Sequence, residues 1–253
     1  MKNWKIGIQM YNLREELKQD FKGVCRELVK LGYDGGEIAF NYGGMEPDEL
    51  AAFCEEIGLT ICSIHVKGTQ FAPGGEYAKD FEYAKALKCG CIICSGSGDF
   101  TQPEVWGKTA GRCRLAGRAC SDNGLIFAYH NHDRELVDIG TGEMALDRIL
   151  STNHPVEVMT ELDVYWLTKG GQNPVTYINR YGNRLPRLHL KDMNPEDRTF
   201  TELGTGCVDL EACISAANQT ICQWLVYEQD KCKGDPMQSA VVSAEYLKKI
   251  LGR

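Results

Sequence analysis

Hydrophobic runs alternate with amphipathic stretches along the whole chain of 253 residues. Short apolar runs predict strands, and apolar residues at helical spacing predict helices. The predicted strands lie at residues 4–10, 34–40, 59–66, 90–95, 125–130, 156–163, 185–190 and 222–228. The predicted helices lie at residues 15–31, 47–57, 77–88, 102–122, 142–150, 174–181, 208–217 and 237–251.

Strict alternation of strands and helices predicts a parallel sheet with helices outside it. Eight strand–helix pairs close into a (β/α)8 TIM barrel, for which about 250 residues is the typical length. No Pro/Gly/Ser-rich linker or change of composition divides the sequence. We therefore expect one α/β domain over residues 1–253.

Long stretches without helical pattern follow four of the predicted strands, at residues 65–76, 95–102, 131–141 and 191–207. In a barrel, the loops after the strands build the face that carries the active site. The search for functional residues therefore concentrates on the strand ends and on these loops.

Four polar residues end four successive strands: His130, Asp163, His189 and Glu228. They are separated by 33, 26 and 39 residues, and each gap fits one strand plus its crossover helix. Because the strand ends of a barrel converge, two imidazoles and two carboxylates would meet there. Such a set predicts a divalent-metal site.

Further polar residues share a strand face with this set, two positions away. We expect His132 to contact substrate or carry protons, since imidazole titrates near neutrality. Glu161 is expected either to be catalytic or to form a buried ion pair with Lys191 or Arg187. Lys191 is expected to bind a substrate oxygen, to act as a base if its pKa is lowered, or to be an exposed loop residue.

Six segments together resemble the xylose-isomerase-like barrel family of sugar phosphate isomerases and epimerases. They are GYDGGEIA (32–39), YHNHDRE (129–135), ELDVYWLTKGG (161–171), RLPRLHLKDM (184–193), TELGTG (201–206) and YEQDKCKGDPMQSA (227–240). The resemblance implies a divalent metal held by glutamate, aspartate, histidine and glutamate at the ends of strands five to eight. Asp163, His189 and Glu228 match that pattern, whereas His130 stands where the family has glutamate. This departure favours Mn or Zn, with Fe and Co as further options, over Mg.

The resemblance also implies that Glu37 and His65 face a sugar or polyol substrate, with a satisfied polar residue under a loop as the alternative. Trp166 and Trp106 could form a wall on which the sugar stacks, although tryptophan is more often a core or interface residue. The expected chemistry is proton abstraction next to the carbonyl of a ketose or keto-sugar, through an enediolate, by an isomerase or epimerase. His132, Lys191, Glu228 and Glu161 are the expected catalytic residues. A dehydratase or lyase acting on an inosose or a 3-keto-glycoside would use the same site, and a non-catalytic sugar-binding barrel is the remaining alternative.

Two glycine-bearing stretches after strands, residues 95–100 and 201–206, have backbone amides that could hold a phosphate. The loop at 191–207 has Arg198 but no arginine cluster. We therefore expect an unphosphorylated substrate or a keto-sugar.

Composition narrows the class of partner. The net charge of −7 argues against nucleic-acid binding, and so against the zinc endonucleases that share this barrel. No apolar run approaches membrane-spanning length and the N-terminus resembles a strand, so we expect a cytoplasmic protein without membrane attachment. The twelve cysteines mostly lie in apolar runs and are expected to be reduced core thiols. The resemblance is compatible with a homo-oligomer.

Overall fold

Eight parallel strands close into a barrel in the computed structural model, which describes residues 2–71, 75–140 and 142–253. The barrel strands are β1 (Lys5–Gln9), β2 (Gly35–Ala39), β3 (Thr60–Lys67), β4 (Cys91–Ser95), β5 (Ile126–His130), β6 (Met159–Asp163), β7 (Arg187–Leu190) and β10 (Trp224–Tyr227). Each strand pairs with its neighbours in chain order, and β10 closes the ring between β7 and β1. A short antiparallel hairpin, β8 (Asp192–Met193) with β9 (Phe200–Thr201), follows β7. The predicted (β/α)8 barrel is confirmed.

Helices surround the barrel: α1 (Arg14–Gln19), α2 (Phe21–Leu31), α3 (Pro47–Ile57), α4 (Ala78–Ala86), α5 (Pro103–Asp122), α6 (Ala145–Ser151), α7 (Val164–Lys169), α8 (Pro174–Tyr181), α9 (Leu210–Ala217) and α10 (Pro236–Leu251). Pro47, Pro103, Pro174 and Pro236 each begin a helix, where proline loses no intrahelical hydrogen bond. Within the described ranges, none of these helices has the length and apolarity required to cross a bilayer.

The helices of the structure differ from the predicted helices in two places. The helix predicted at 15–31 is broken at Asp20, whose carboxylate accepts the Gly23 amide proton and begins α2. The short helix α7 was not predicted, because it starts directly at the end of β6 without an intervening turn. Asp163 caps it by accepting the Trp166 amide proton.

The first of the long loops is shorter than predicted, since β3 extends to Lys67 and a 3-10 helix follows at Gly68–Phe71. Residues 72–74 of that loop and residue 141 of the third loop lie outside the described residues. The fourth loop contains the β8–β9 hairpin.

Alternate residues of each strand face the barrel interior and the helix layer. On β4, Cys91 and Ile93 pack with Ala128 inside the barrel, whereas Ile92 and Cys94 join the core beneath the helices. Cys91 and Cys94 therefore lie on opposite faces of the strand. All twelve cysteines are free and ten are buried, as expected of core thiols.

Candidate metal centre at the barrel mouth

Four side chains from four neighbouring strands meet at the carboxyl end of the barrel. His130 and Asp163 are the last residues of β5 and β6, His189 lies in β7, and Glu228 directly follows β10. Each can offer one ligand atom such that all four atoms lie within 4.8 Å of one another, and all four side chains are buried. The parallel register brings the strand ends to the same level. His189 in β7 pairs with Asp163 in β6 on one side and with Val226 in β10, two residues before Glu228, on the other.

The candidate ligand atoms lie close to one another. His189 Nδ1 lies 2.8 Å from Glu228 Oε2, and His130 Nε2 lies 4.0 Å from Asp163 Oδ2. Asp163 uses Oδ1 to cap α7, and its buried Oδ2 faces the Lys191 ammonium at 3.0 Å. Two buried imidazoles and two buried carboxylates that converge in this way form a donor set that fits a divalent cation.

Lys191 is buried within the same cluster, so it is not the exposed loop lysine that one prediction allowed. Its Nζ lies 2.8 Å from Asp230 Oδ2, 2.9 Å from Glu228 Oε2 and 3.0 Å from Asp163 Oδ2. Burial opposes the charge, but Asp163, Asp230 and Glu228 raise the pKa of Lys191 well above its usual value. These contacts favour the ammonium form, which contrasts with the expectation of a base whose pKa is lowered.

Glu161 and Glu37 lie beneath the cluster and are fully buried. Glu161 Oε2 lies 3.1 Å from His130 Nδ1 and 3.1 Å from His189 Nε2. Glu37 accepts hydrogen bonds from Gln9 and Ser63, and its Oε1 lies 3.4 Å from His189 Nε2. Among the described residues, Glu161 forms no ion pair with Lys191 or Arg187. Arg187 instead donates to the Cys62 carbonyl inside the barrel.

Burial and neighbouring charges together change the pKa values of the carboxyl groups in different directions. It raises the pKa of Asp163 to about 6, and with the charge of Glu37 it raises the pKa of Glu161 to about 7. For Glu228, burial is outweighed by Lys191 and His189, which hold its pKa well below the usual range. The centre contains five carboxyl groups, of which three contact its one ammonium, and this excess of carboxyl groups attracts a further cation. They are Glu37, Glu161, Asp163, Glu228 and Asp230.

His132 lies one step further out than His130 and contacts the aromatic wall of the mouth. Its ring centroid is 5.1 Å from that of His130 and 5.2 Å from Trp166. Burial, and then the charge of Lys191, lower the pKa of His132 to about 3. The imidazole is therefore neutral near pH 7 and has a free nitrogen, since Nδ1 has no hydrogen-bond partner within the described ranges.

The wall itself consists of Tyr165, Trp166 and Phe200, whose rings contact one another at centroid distances of 4.5 to 5.7 Å. Sequence reasoning identified Trp166 but missed Tyr165 and Phe200. Trp106, the other proposed wall residue, lies in α5, where Arg148 covers its ring.

On the opposite side of the mouth, His65 stands beside His130 with ring centroids 5.4 Å apart. Phe40, which the sequence analysis missed, lies 6.2 Å from His65 and is 52% exposed. Its φ of +61° is the left-handed conformation, unfavourable for a bulky residue. The only sequence signal was an aromatic residue directly after a strand, which has no functional meaning without the structure.

The glycine-bearing stretch at 201–206 does not present its amides to the mouth. The amides of Gly204, Gly206 and Val208 donate to the Asp192 carboxylate, at 3.0 Å each. A Cβ atom on Gly206 would lie 2.3 Å from Asp192 Oδ1, so this position requires glycine. These amides are occupied by Asp192, and the stretch offers no cradle for a phosphate.

Residues 25–250 match the family described as Xylose isomerase-like TIM barrel. An inosose dehydratase of Clostridium beijerinckii is 27% identical over 183 residues, covering 63% of this chain but only 59% of that relative. An inosose dehydratase of Clostridium botulinum is 27% identical over 276 residues, covering 90% of this chain and 89% of the relative.

Solved structures share the fold. A sugar phosphate isomerase/epimerase from Parabacteroides distasonis aligns with a TM-score of 0.82 at 23% identity, covering 98% of both chains. The 3-keto-D-glucoside 4-epimerase of E. coli aligns with a TM-score of 0.74 at 17% identity, covering 98% of this chain and 100% of the other. The IOLI protein with a bound zinc atom also has a TM-score of 0.74, at 15% identity and 98% coverage of both chains.

Proposed function

The chain belongs to the xylose isomerase-like TIM barrel family, and from this premise we propose that it is a metal-dependent enzyme that isomerises or epimerises a ketose or keto-sugar. The proposal depends chiefly on one observation, the convergence of His130, Asp163, His189 and Glu228 at the barrel mouth. Together these side chains would hold a divalent cation, with Mn or Zn favoured by two imidazole ligands. A bound zinc atom in the IOLI protein supports the same type of site.

A bound cation would polarise the substrate carbonyl and acidify the neighbouring C–H group. His132 is the candidate for removing that proton, because its ring lies at the mouth beside His130 and Trp166. Lys191 supplies a fixed positive charge beside Asp163 and Glu228, two of the proposed ligands. Trp166 and Phe200 offer apolar faces to a sugar ring, and the occupied amides around Asp192 favour an unphosphorylated substrate.

A dehydratase is the second candidate, favoured by the curated relatives named inosose dehydratase. Loss of a β-hydroxyl group can follow the same proton abstraction, so the centre would serve either reaction. The name of the E. coli structure, 3-keto-D-glucoside 4-epimerase, agrees with a keto-sugar substrate in both cases.

Proton exchange in heavy water tests the class of reaction. Metal-loaded protein would be incubated with ketoses, inososes and 3-keto-glycosides, and deuterium incorporation followed by NMR. We expect deuterium at a carbon next to the carbonyl of at least one compound, with a rearranged or dehydrated product distinguishing the two candidates. Absence of exchange with every compound, at full metal occupancy, would contradict the proposal and favour a sugar-binding barrel.

A further inference from the structure

One carboxylate oxygen contacts both histidines of the proposed metal centre. Glu161 Oε2 lies 3.1 Å from His130 Nδ1 and 3.1 Å from His189 Nε2, although the histidines come from different strands. The contact with His130 has hydrogen-bond geometry. The inference drawn here deepens the proposed function, since it rests on the proposed metal centre.

We propose that Glu161 is a positioning residue that fixes His130 and His189 in opposite tautomers. His130 would carry its proton on Nδ1 and present Nε2 to the cation. His189 would carry its proton on Nε2 and present Nδ1, the nitrogen that already faces Glu228 at 2.8 Å.

Both contacts converge on the same oxygen of Glu161. A carboxylate oxygen has two lone pairs and can accept hydrogen bonds from both imidazoles. A protonated oxygen could donate a hydrogen bond to only one of them. His130 Nδ1 already has hydrogen-bond geometry to this oxygen, whereas His189 Nε2 lies 3.1 Å from it and has no hydrogen-bond partner within the described part of the chain, so donation by His189 to Glu161 would satisfy that nitrogen as well. The second oxygen, Oε1, has no hydrogen-bond partner among the described residues and does not compete.

The surroundings keep Glu161 away from the substrate. Its side chain is fully buried behind the two imidazoles, so substrate at the mouth does not reach it. This placement replaces the expected catalytic role with an indirect one. Mutation of a carboxylate that holds a metal-ligating histidine commonly weakens metal binding by about 10- to 100-fold.

Glu37 provides a comparison within the same layer. Its Oε1 also approaches His189 Nε2, at 3.4 Å, but its other contacts are Gln9, Ser63 and His65. Of the two proposed histidine ligands, Glu37 therefore contacts only His189, whereas Glu161 contacts both.

The test is the tautomer of each histidine in the protein loaded with Zn²⁺, read by two-bond ¹⁵N–¹H NMR. We expect a proton on Nδ1 of His130 and on Nε2 of His189. The same tautomer at both residues, or a proton on Nε2 of His130, would overturn the inference. This measurement on the unaltered protein decides the question even if a variant fails to fold.

Variants then connect the tautomers to Glu161. Glu161→Gln should weaken Mn²⁺ binding by about 10- to 100-fold in calorimetry and disturb the tautomer of at least one histidine. Glu37→Gln should leave His130 unchanged, and Glu55→Gln, at an exposed position of α3, should change neither property. Unchanged tautomers and affinity in Glu161→Gln would overturn the inference.

The number of Mn²⁺ ions bound distinguishes a positioning role for Glu161 from a role as a metal ligand. Glu37, Glu161 and His189 can also bring three ligand atoms together. Binding of a second Mn²⁺ ion that disappears in Glu161→Gln would make Glu161 a metal ligand and overturn its positioning role. None of these readouts needs a substrate, so failure of the exchange experiment would leave this inference standing, and the reverse also holds.

Discussion

The ammonium group of Lys191 lies 3.0 Å from Asp163 Oδ2, and neither side chain is exposed to solvent. Two further carboxylates, Glu228 and Asp230, complete the surroundings of this ammonium. Charged groups withdrawn from water are tolerated when they are paired this closely. The pair therefore stabilises a centre in which carboxylates outnumber cations.

Lys191→Met should destabilise the metal-free protein by about 3 kcal/mol or more, because buried carboxylates lose their partner. Added Mn²⁺ should stabilise this variant more than the parent protein, since a cation then replaces the missing charge. Urea unfolding with and without Mn²⁺ measures both effects. Lys108→Met, at an exposed position of α5, is the control, and equal stability of both variants would contradict the prediction.

Glu228→Gln and His189→Ala should each abolish metal binding while circular dichroism shows an intact barrel. Each substitution removes one of the four proposed ligands without opening the strand pairing. Metal analysis after dialysis provides the measurement. His132→Ala is the matched control, because it removes an imidazole of the mouth but not a ligand. Unchanged stoichiometry in the first two variants would refute the ligand set.

Metal affinity should increase as the pH rises from about 5 to about 8. Asp163 and Glu161 have pKa values raised to about 6 and about 7, and the pKa of His189 is raised well above its usual value. At low pH these groups hold protons that compete with the cation, and the competition ends as the pH passes their pKa values. Each displaced proton contributes about a tenfold change in affinity per pH unit.

Calorimetry in buffers of different ionisation enthalpy would count the protons released. Glu161→Gln should release fewer protons than the parent protein, whereas Glu55→Gln should match it. An affinity that does not vary over this pH range would show that the centre is already deprotonated at pH 5.

Phe40→Asn should stabilise the protein by about 1 kcal/mol, because asparagine tolerates the left-handed conformation better than phenylalanine. We also expect a higher KM, since the exposed ring beside His65 would contact the substrate. Thermal unfolding and steady-state kinetics with an accepted keto-sugar measure the two effects.

Lys88→Asn is the control, because Lys88 also has positive φ but lies before β4, at the opposite end of the barrel. It should relieve backbone strain without changing KM. A Phe40→Asn variant with unchanged KM would show that the ring has no part in substrate binding.

The alternation of apolar runs and amphipathic stretches was sufficient to determine the barrel, because each strand must be buried on both faces and each helix on one. The strand-end positions of His130, Asp163, His189 and Glu228 followed from the same pattern. The helix break at Asp20 and the short α7 did not, since both depend on a single side-chain cap rather than on periodicity.

The tertiary structure alone decided how the polar side chains pair. Sequence spacing placed Glu161 and Lys191 on the inward face, but it could not choose between their partners. The structure directs Glu161 to the two histidines and Lys191 to three carboxylates. In the structure the amides of Gly204 and Gly206 donate to the Asp192 carboxylate, whereas the sequence suggested that they could bind a phosphate. Such choices depend on distances across the barrel between strands far apart in the chain, and residue order does not contain those distances.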